Sequence, residues 1–429
     1  MKNFLKKLVQ KALAVLARAI IKKYQPQIIG ITGSVGKTST KQAIFKVLAL
    51  KFNVRQNIKN YNNEIGLPLT TIGAGSGGRS VWGWLGVFMR GLVLLAWRDK
   101  NYPKILVLEM AVDRVGDMKY LTDLAPCQIG VVTNISPVHL EFFKTLERIA
   151  KEKSVMVSHL GKNGWAVLNC DNHYVCDMEQ VVKGRVIKYG ITSQQAQVRA
   201  SEIIISKDSG ERVAGLSFKL SYQGSTVPVL LPNILGEHLV YAALAAAAVG
   251  VINGMNLVEI SEALRLFEAP KGRMRLLAGI KNTFIIDDSY NAGPESMAAA
   301  LSVLGQLNVL GKKIAVLGDM LELGEYTVEA HQNIGALAAA NKIDSLITVG
   351  ERARLIGEKA KELGLRSEDI FNFSDAETAG CFIQDRIETG DFILVKGSQG
   401  MRMEKIVKEI MAEPLKAKDL LVRQDKPWS

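Results

Sequence analysis

The sequence predicts an α/β protein: a central parallel-sheet domain of the phosphate-loop type with a small antiparallel patch, followed by a Rossmann-like α/β domain. Three observations predict it. A short apolar run, QIIGIT (27–32), enters a glycine-rich turn and then a helical pattern from Lys37 to Leu50. Buried-strand candidates at 105–109 (ILVLE), 129–133 (IGVVT) and 165–169 (WAVLN) alternate with helical stretches, which argues for a parallel sheet with helices on both faces. Around 270–275 the pattern restarts, with strand candidates at 283–287 (TFIID), 313–317 (KIAVL), 345–349 (SLITV) and 391–395 (DFILV).

The 429 residues are 48% apolar and 22% charged, ordinary for a globular protein and unlike a disordered, collagenous or disulfide-framework chain. At roughly 100–200 residues per domain the length suggests two to four domains. The division expected is a basic amphipathic helix at 1–26, a central domain at 27–270 with a hydrophobic insert at 72–102, a second domain at 271–415, and a loose tail at 416–429. Within the central domain, residues 197–232 show the shorter alternation of an antiparallel patch, and 237–267 return to helix. None of Cys127, Cys170, Cys176 and Cys381 forms a C-x-x-C pair, which argues against a zinc site or a disulfide framework and for a reducing cytoplasm.

Net charge is +12, and it is unevenly spread. Residues 1–24 hold Lys2, Lys6, Lys7, Lys11, Arg18, Lys22 and Lys23 and no acid. A nucleic-acid-binding domain spreads its basic charge over its folded surface, so no nucleic-acid partner is expected. Leu5, Leu8, Val9, Ala12, Leu13, Leu16 and Ile20 fall on one helical face. Such a helix either packs on its own domain or lies on an anionic bilayer. Residues 81–97 (VWGWLGVFMRGLVLLAW) are shorter than a span of about 20 apolar residues. They carry Arg90, and Trp82, Trp84 and Trp97 flank the run as interfacial aromatics do. A buried helix or hairpin competes with membrane contact there too.

The sharpest local signal is Thr32-Gly33-Ser34-Val35-Gly36-Lys37-Thr38-Ser39. Glycines let backbone N–H groups close around phosphate oxygens, and the following helix adds its positive end. Lys37 can reach the outer phosphates and Thr38 can place its hydroxyl on Mg²⁺. The spacing is T-G-x-x-G-K-T; the strict Walker pattern needs glycine at Ile31. Glu109 ends the strand ILVLE and His139 follows the strand-end segment TNISPVH, so both stand at the strand ends where an open α/β sheet binds ligands. Lys153 lies in LERIAKEKSVMV, whose bland reading is a solvated charged face.

The chain resembles the Mur ligase family, ATP-dependent amide-forming ligases of peptidoglycan precursor synthesis. The segments are GITGSVGKTST (30–40), NYNNEIGLPLT (60–70), VVTNISPVHLEFF (131–143), ERIAKEKS (147–154), GEHLVYAALAAAA (236–248), PKGRMR (270–275), DDSYNAGPESM (287–297), LGDMLELGEYTVEAH (317–331) and LVKGSQGMRME (394–404). DDSYNAGP, GDMLELGE and VKGSQGMRME look most like the member that adds D-alanyl-D-alanine to UDP-N-acetylmuramoyl-tripeptide.

That resemblance implies a set of roles. Gly33, Ser34, Gly36, Lys37, Thr38 and Ser39 hold ATP phosphates. Thr38, Glu109, His139 and Lys153 hold two Mg²⁺ ions, Lys153 as a carbamylated lysine. Asn134, His238, Asp288, Tyr290 and Asn291 lie near the nucleotide, and Arg273 meets the phosphates. Asn62, Asn63, Lys396 and Ser398 face the muramoyl-peptide and D-alanyl-D-alanine. Lys37, Lys153, His139 and Arg273 form the catalytic set of a monomeric cytoplasmic enzyme. Separately from the resemblance, the patterns at 1–24 and 81–97 leave peripheral contact with the inner membrane face as one alternative to packing on the domain.

The sequence departs from the family in places. A single basic helix precedes the phosphate loop, where the family carries a domain that holds the UDP end of its substrate. This leaves open weak nucleotide binding by the central domain, a partner that supplies the surface, or a lipid-linked acceptor. MAVDRVGD follows Glu109 in place of a Gly-containing stretch, Gln399 stands where arginine is common, and Gly293 where asparagine is common. Two competing readings follow: a relative that joins another amino acid or amine to another carboxylate, as folate-polyglutamate and cyanophycin ligases do, and a membrane-associated scaffold without turnover.

Overall fold

The computed structural model describes residues 2–58, 61–137, 143–208 and 212–424, and the side chains from residue 7 onward. The chain divides into two units, the first made mainly of residues up to 203 with 217–231 and 238–267, the second of 204–216, 232–237 and 268 onward.

The first unit is built on β1 (Gln27–Thr32), β2 (Val54–Gln56), β3 (Ile105–Glu109), β4 (Ile129–Val132), β5 (Trp165–Asn169) and β6 (Arg185–Gly190), which continue into β7 (Val198–Lys207), β8 (Val213–Tyr222) and β9 (Ser225–Pro232). The nine-stranded sheet runs β2-β3-β1-β4-β5-β6-β7-β8-β9. β1 pairs in parallel with β3 on one side (Ile31 opposite Glu109) and with β4 on the other (Thr32 opposite Val132). Chain order reverses at β1, so its carboxyl end opens a crevice between two outgoing loops. Only two residues join β8 to β9, a link short enough for antiparallel neighbours alone; this is the patch expected at 197–232.

Helices α1 (Lys2–Tyr24), α2 (Lys37–Ala49), α3 (Gly66–Ile72), α4 (Val81–Ala96), α5 (Asp117–Leu124) and α6 (Leu146–Ser158) belong to this unit. The apolar stripe of α1 is a packing face. Leu13, Leu16 and Ile20 are buried with Leu69, Ile72, Val87 and Leu94, while Ala14 and Ala17 join the core around Ile28, Leu106 and Leu108. Leu8 and Ala12, expected on that stripe, are exposed, because the buried arc runs through Leu13, Ala14, Leu16, Ala17 and Ile20. Residues 81–97 form one helix, α4, rather than a hairpin. A disulfide links Cys170 and Cys176, where the spacing argues against a disulfide framework and for a reducing compartment; the short helix at 173–176 turns the chain back and brings the two Cα atoms to 4.6 Å.

The second unit has a six-stranded sheet of β10 (Arg275–Ala278), β11 (Phe284–Asp288), β12 (Lys313–Gly318), β13 (Ser345–Val349), β14 (Ile370–Phe373) and β15 (Phe392–Lys396), in the order β10-β11-β15-β12-β13-β14. All neighbours are parallel except the edge strand β10. Apolar cores lie on both faces, as in a doubly wound sheet. Residues 417–424 are docked rather than loose. Ala417 and Leu421 are buried, and Arg423 bonds the fully buried Glu404 at 2.6 Å.

Candidate functional site

The phosphate loop leaves β1 at Thr32 and enters α2 at Lys37. Gly33 holds φ at 146°, and a Cβ there would come within 2.0 Å of Thr133 Oγ1. The close approach lets the Thr133 hydroxyl donate to Val35 O at 2.6 Å, while Ser34 N donates to Asn134 O at 2.7 Å. The loop is thus pinned to the segment after β4. Lys37 Nζ reaches back to Gly33 O (2.7 Å) and Ser34 O (3.0 Å), curled over the loop it serves. Ser39 is buried in the first turn of α2, whose leading N–H groups have no partner within the helix.

Glu109, at the end of β3, is buried and heavily engaged. Thr38 Oγ1 donates to its carboxylate (3.1 and 3.3 Å), as does Asn62 Nδ2 (3.1 Å). Two partners were missed from sequence. Lys41 Nζ lies 3.4 Å from Glu109 Oε2 and donates to Asn57 O at 2.9 Å. Asn57 in turn brackets the Glu109 backbone through both its amide atoms. Lys41 was findable, four residues after Lys37 and so on the same helix face; Asn57 carries no such signal.

Lys153 is buried on α6, against the solvated-face reading. Burial first, then the Lys37 cation, lower its amine to about 7, with Glu152 and Asp113 opposing. Its neighbour Glu152 is buried too and accepts from Gly116 N (3.0 Å) and Met118 N (2.8 Å), tying down the start of α5 and the loop after Glu109. Asn63 accepts from Ile65 N and Gly66 N at the start of α3. His238 is exposed at the first position of the helix His238–Ile252. His139 lies outside the described residues.

Among the described residues no three His, Cys, Asp or Glu side chains gather as a metal cluster. Mg²⁺ does not require one: it keeps water and phosphate ligands and uses one or two carboxylates. Glu109 with the Thr38 hydroxyl, both hard oxygen donors, fits that demand.

The second unit gathers its own cluster at the carboxyl ends of β11 and β15. Lys396 is buried, pairs with Asp288 Oδ2 at 2.5 Å and donates to Asn291 O at 3.0 Å. Asp288 Oδ1 accepts from Met274 N, and Asn291 Oδ1 from Gln399 N. Ser398 Oγ accepts from Leu321 N at 2.8 Å and donates to Ala292 O. The Arg273 guanidinium sits 4.5 Å above the Tyr290 ring. Arg423, missed from sequence, bonds Ser289 O and Tyr290 O and so steadies that turn. Asp287, also missed, is fully buried, and burial raises its carboxyl to about 6.

The Mur ligase middle domain model matches residues 31–77 and 92–250, and the Mur ligase, glutamate ligase domain model matches 272–399. The chain is 30% identical over 409 residues to the UDP-N-acetylmuramoyl-tripeptide--D-alanyl-D-alanine ligase of Bacillus subtilis, covering 94% of this chain and 80% of the relative. It is 29% identical to the Escherichia coli protein of the same name, over 92% and 79%. The crystal structure of MurF ligase from Thermotoga maritima in complex with ADP superposes with a TM-score of 0.73 at 26% identity, over 95% of this chain and 84% of that one. A phosphate loop pinned beside a buried carboxylate, a second doubly wound unit and these matches lead to one conclusion: the chain belongs to the Mur ligase family.

Proposed function

We propose that the chain is an ATP-dependent, ADP-forming ligase that joins D-alanyl-D-alanine to a muramoyl-tripeptide in peptidoglycan synthesis. The observation that carries this reading is the Lys37–Thr38–Glu109 arrangement at the switch point of the first sheet. An acceptor carboxylate is repelled by the triphosphate it must attack. Lys37 and Arg273 offset that charge. Mg²⁺, when bound, would be held by Thr38 and Glu109 with His139 and a carbamylated Lys153, and would supply further charge neutralisation at the phosphates. A carboxylate oxygen then attacks the γ-phosphorus, the bond to ADP breaks, and an acyl phosphate forms. The dipeptide amine attacks the acyl carbon, loses a proton, and expels phosphate as the amide forms. Asn62 and Asn63 serve the acceptor side; Lys396 and Ser398 serve the dipeptide side. Asn134, His238, Asp288, Tyr290 and Asn291 serve the nucleotide.

The enzyme works as a cytoplasmic monomer, with residues 81–97 placing it against the inner membrane face; residues 1–24, also expected to make that contact, turn their apolar face into the domain. Phosphate release tests the chemistry. Turnover is expected only with ATP, Mg²⁺, a muramoyl-tripeptide and D-alanyl-D-alanine together, and none in Lys37→Ala. Turnover that needs a different acid–amine pair, or near-normal rates in Lys37→Ala, would count against it.

A further inference from the structure

We infer that the outward face of α4 is a docking surface for an anionic lipid bilayer, with the helix lying in the plane of the headgroups. The inference rests on the membrane location proposed above and is independent of the ligase chemistry.

The helix is apolar on both sides. One side is buried: Val87, Gly91 and Leu94 pack against α1 and α3, and a Cβ at Gly91 would come within 2.2 Å of Leu16 Cδ2. The other side carries Val81, Trp82, Leu85, Met89, Leu92, Val93 and, just past the end, Trp97, all exposed. Trp82 is 80% exposed and Trp97 is 71% exposed. A contiguous stripe of that size on one helix is unusual for a free surface and marks an interaction site.

The helix is also held rigidly. Lys23 Nζ donates to Leu94 O, Leu95 O and Trp97 O, and Tyr24 OH to Leu94 O, so the last turn of α1 caps the last turn of α4. Ser80 caps the other end. α1 is therefore the bracket and α4 the contact, which reverses the emphasis expected from the charge of residues 1–24.

Charge selects the occupant. From Ile65 to Arg98 there is no Asp or Glu, and Arg79, Arg90, Arg98 and Lys100 are exposed around the stripe, with Asp99 the lone acid among them. An apolar face with a basic rim and tryptophans at both ends matches an anionic interface. Sixteen residues span about 24 Å at 1.5 Å per residue. Among the described residues no helix is long and apolar enough to cross a membrane, so the geometry points to in-plane binding. The family model matches 31–77 and 92–250 and leaves 78–91, which hold most of this helix, unmatched.

The test is flotation of the full chain with vesicles of phosphatidylglycerol and phosphatidylcholine, beside vesicles of phosphatidylcholine alone, with tryptophan emission recorded. Expected are recovery with the anionic vesicles, weaker recovery without them, and a blue shift. Trp82→Ser with Met89→Ser should reduce recovery by about tenfold or more, while Val15→Ser on α1 changes nothing. Melting temperature and phosphate release from soluble substrates should stay at wild-type values in these variants. If the double variant misfolds, Trp82→Gln alone serves. Equal recovery of variant and wild type, or equal recovery on both vesicle types, overturns the inference. So does a concentration-dependent dimer that disappears in the variant without vesicle binding, which assigns the face to a second copy. Loss of phosphate release with vesicle binding intact would instead count against the ligase reading.

Discussion

Lys153 and Lys37 are placed close enough to repel, and with burial this brings the Lys153 amine from an ordinary 10.5 to about 7. A buried amine with that value is substantially neutral at physiological pH, the form that adds to carbon dioxide. With ¹³C-labelled bicarbonate we expect a carbamate resonance that grows as pH rises from 6 to 8 and is absent in Lys153→Met. No resonance at any pH would remove Lys153 from the metal-holding set. The stability sign is the reverse of an ion-paired lysine's. The folded state disfavours the proton, so the contribution is complete above the unfolded value of 10.5 and is lost as pH falls through about 7. Lys153→Met should therefore raise the melting temperature more at pH 6 than at pH 9.

Gly33→Ala should abolish nucleotide binding and destabilise the fold by about 1–3 kcal/mol, since the new methyl collides with the hydroxyl that pins the loop. Gly75→Ala, where nothing lies within 4 Å, is the control and should change neither. Isothermal titration with ADP and a thermal melt check both.

Lys41→Met removes the one ion-pair partner of Glu109 in the described structure. Breaking a buried pair costs about 3–5 kcal/mol when nothing else meets the charge. Thr38 and Asn62 still donate to Glu109, so a loss at or below the lower end of that range is expected. Mg²⁺ with ADP should restore more melting temperature in Lys41→Met than in the wild type. Equal restoration would argue against Glu109 as a metal-facing carboxylate.

Asp287 is buried with its Oδ2 atom unpartnered, while Ser289 donates twice to Oδ1. Burial, aided by the Asp288 charge, raises its carboxyl from 3.8 to about 6. The folded state thus favours the proton, and this contribution is complete below about 4 and is lost as pH rises through about 6. Asp287→Asn should stabilise the second unit by about 2–3 kcal/mol at pH 8 and by roughly half as much at pH 5, read from melts at the two values.

Much of the site was legible because its signals are local. The loop from Gly33 to Thr38, Glu109 at a strand end and the segment around Asp288 sit where apolar runs stop, and strand ends in a parallel sheet converge. Asn57, Glu152 and Arg423 were missed because each reaches its partner across long sequence separations. A charged residue in a helical pattern reads as solvent-facing until its neighbours are known.

By itself the sequence determined the two parallel-sheet units, the antiparallel patch and the phosphate loop, since hydrophobic period and glycine spacing encode them residue by residue. Tertiary structure alone decided that α1 is an internal bracket, that α4 turns its tryptophans outward, that residues 417–424 dock, and that Lys153 loses its solvent. Each of these depends on which of two apolar faces finds a partner, and on how much water remains around a charge. Neither quantity exists until distant segments have packed.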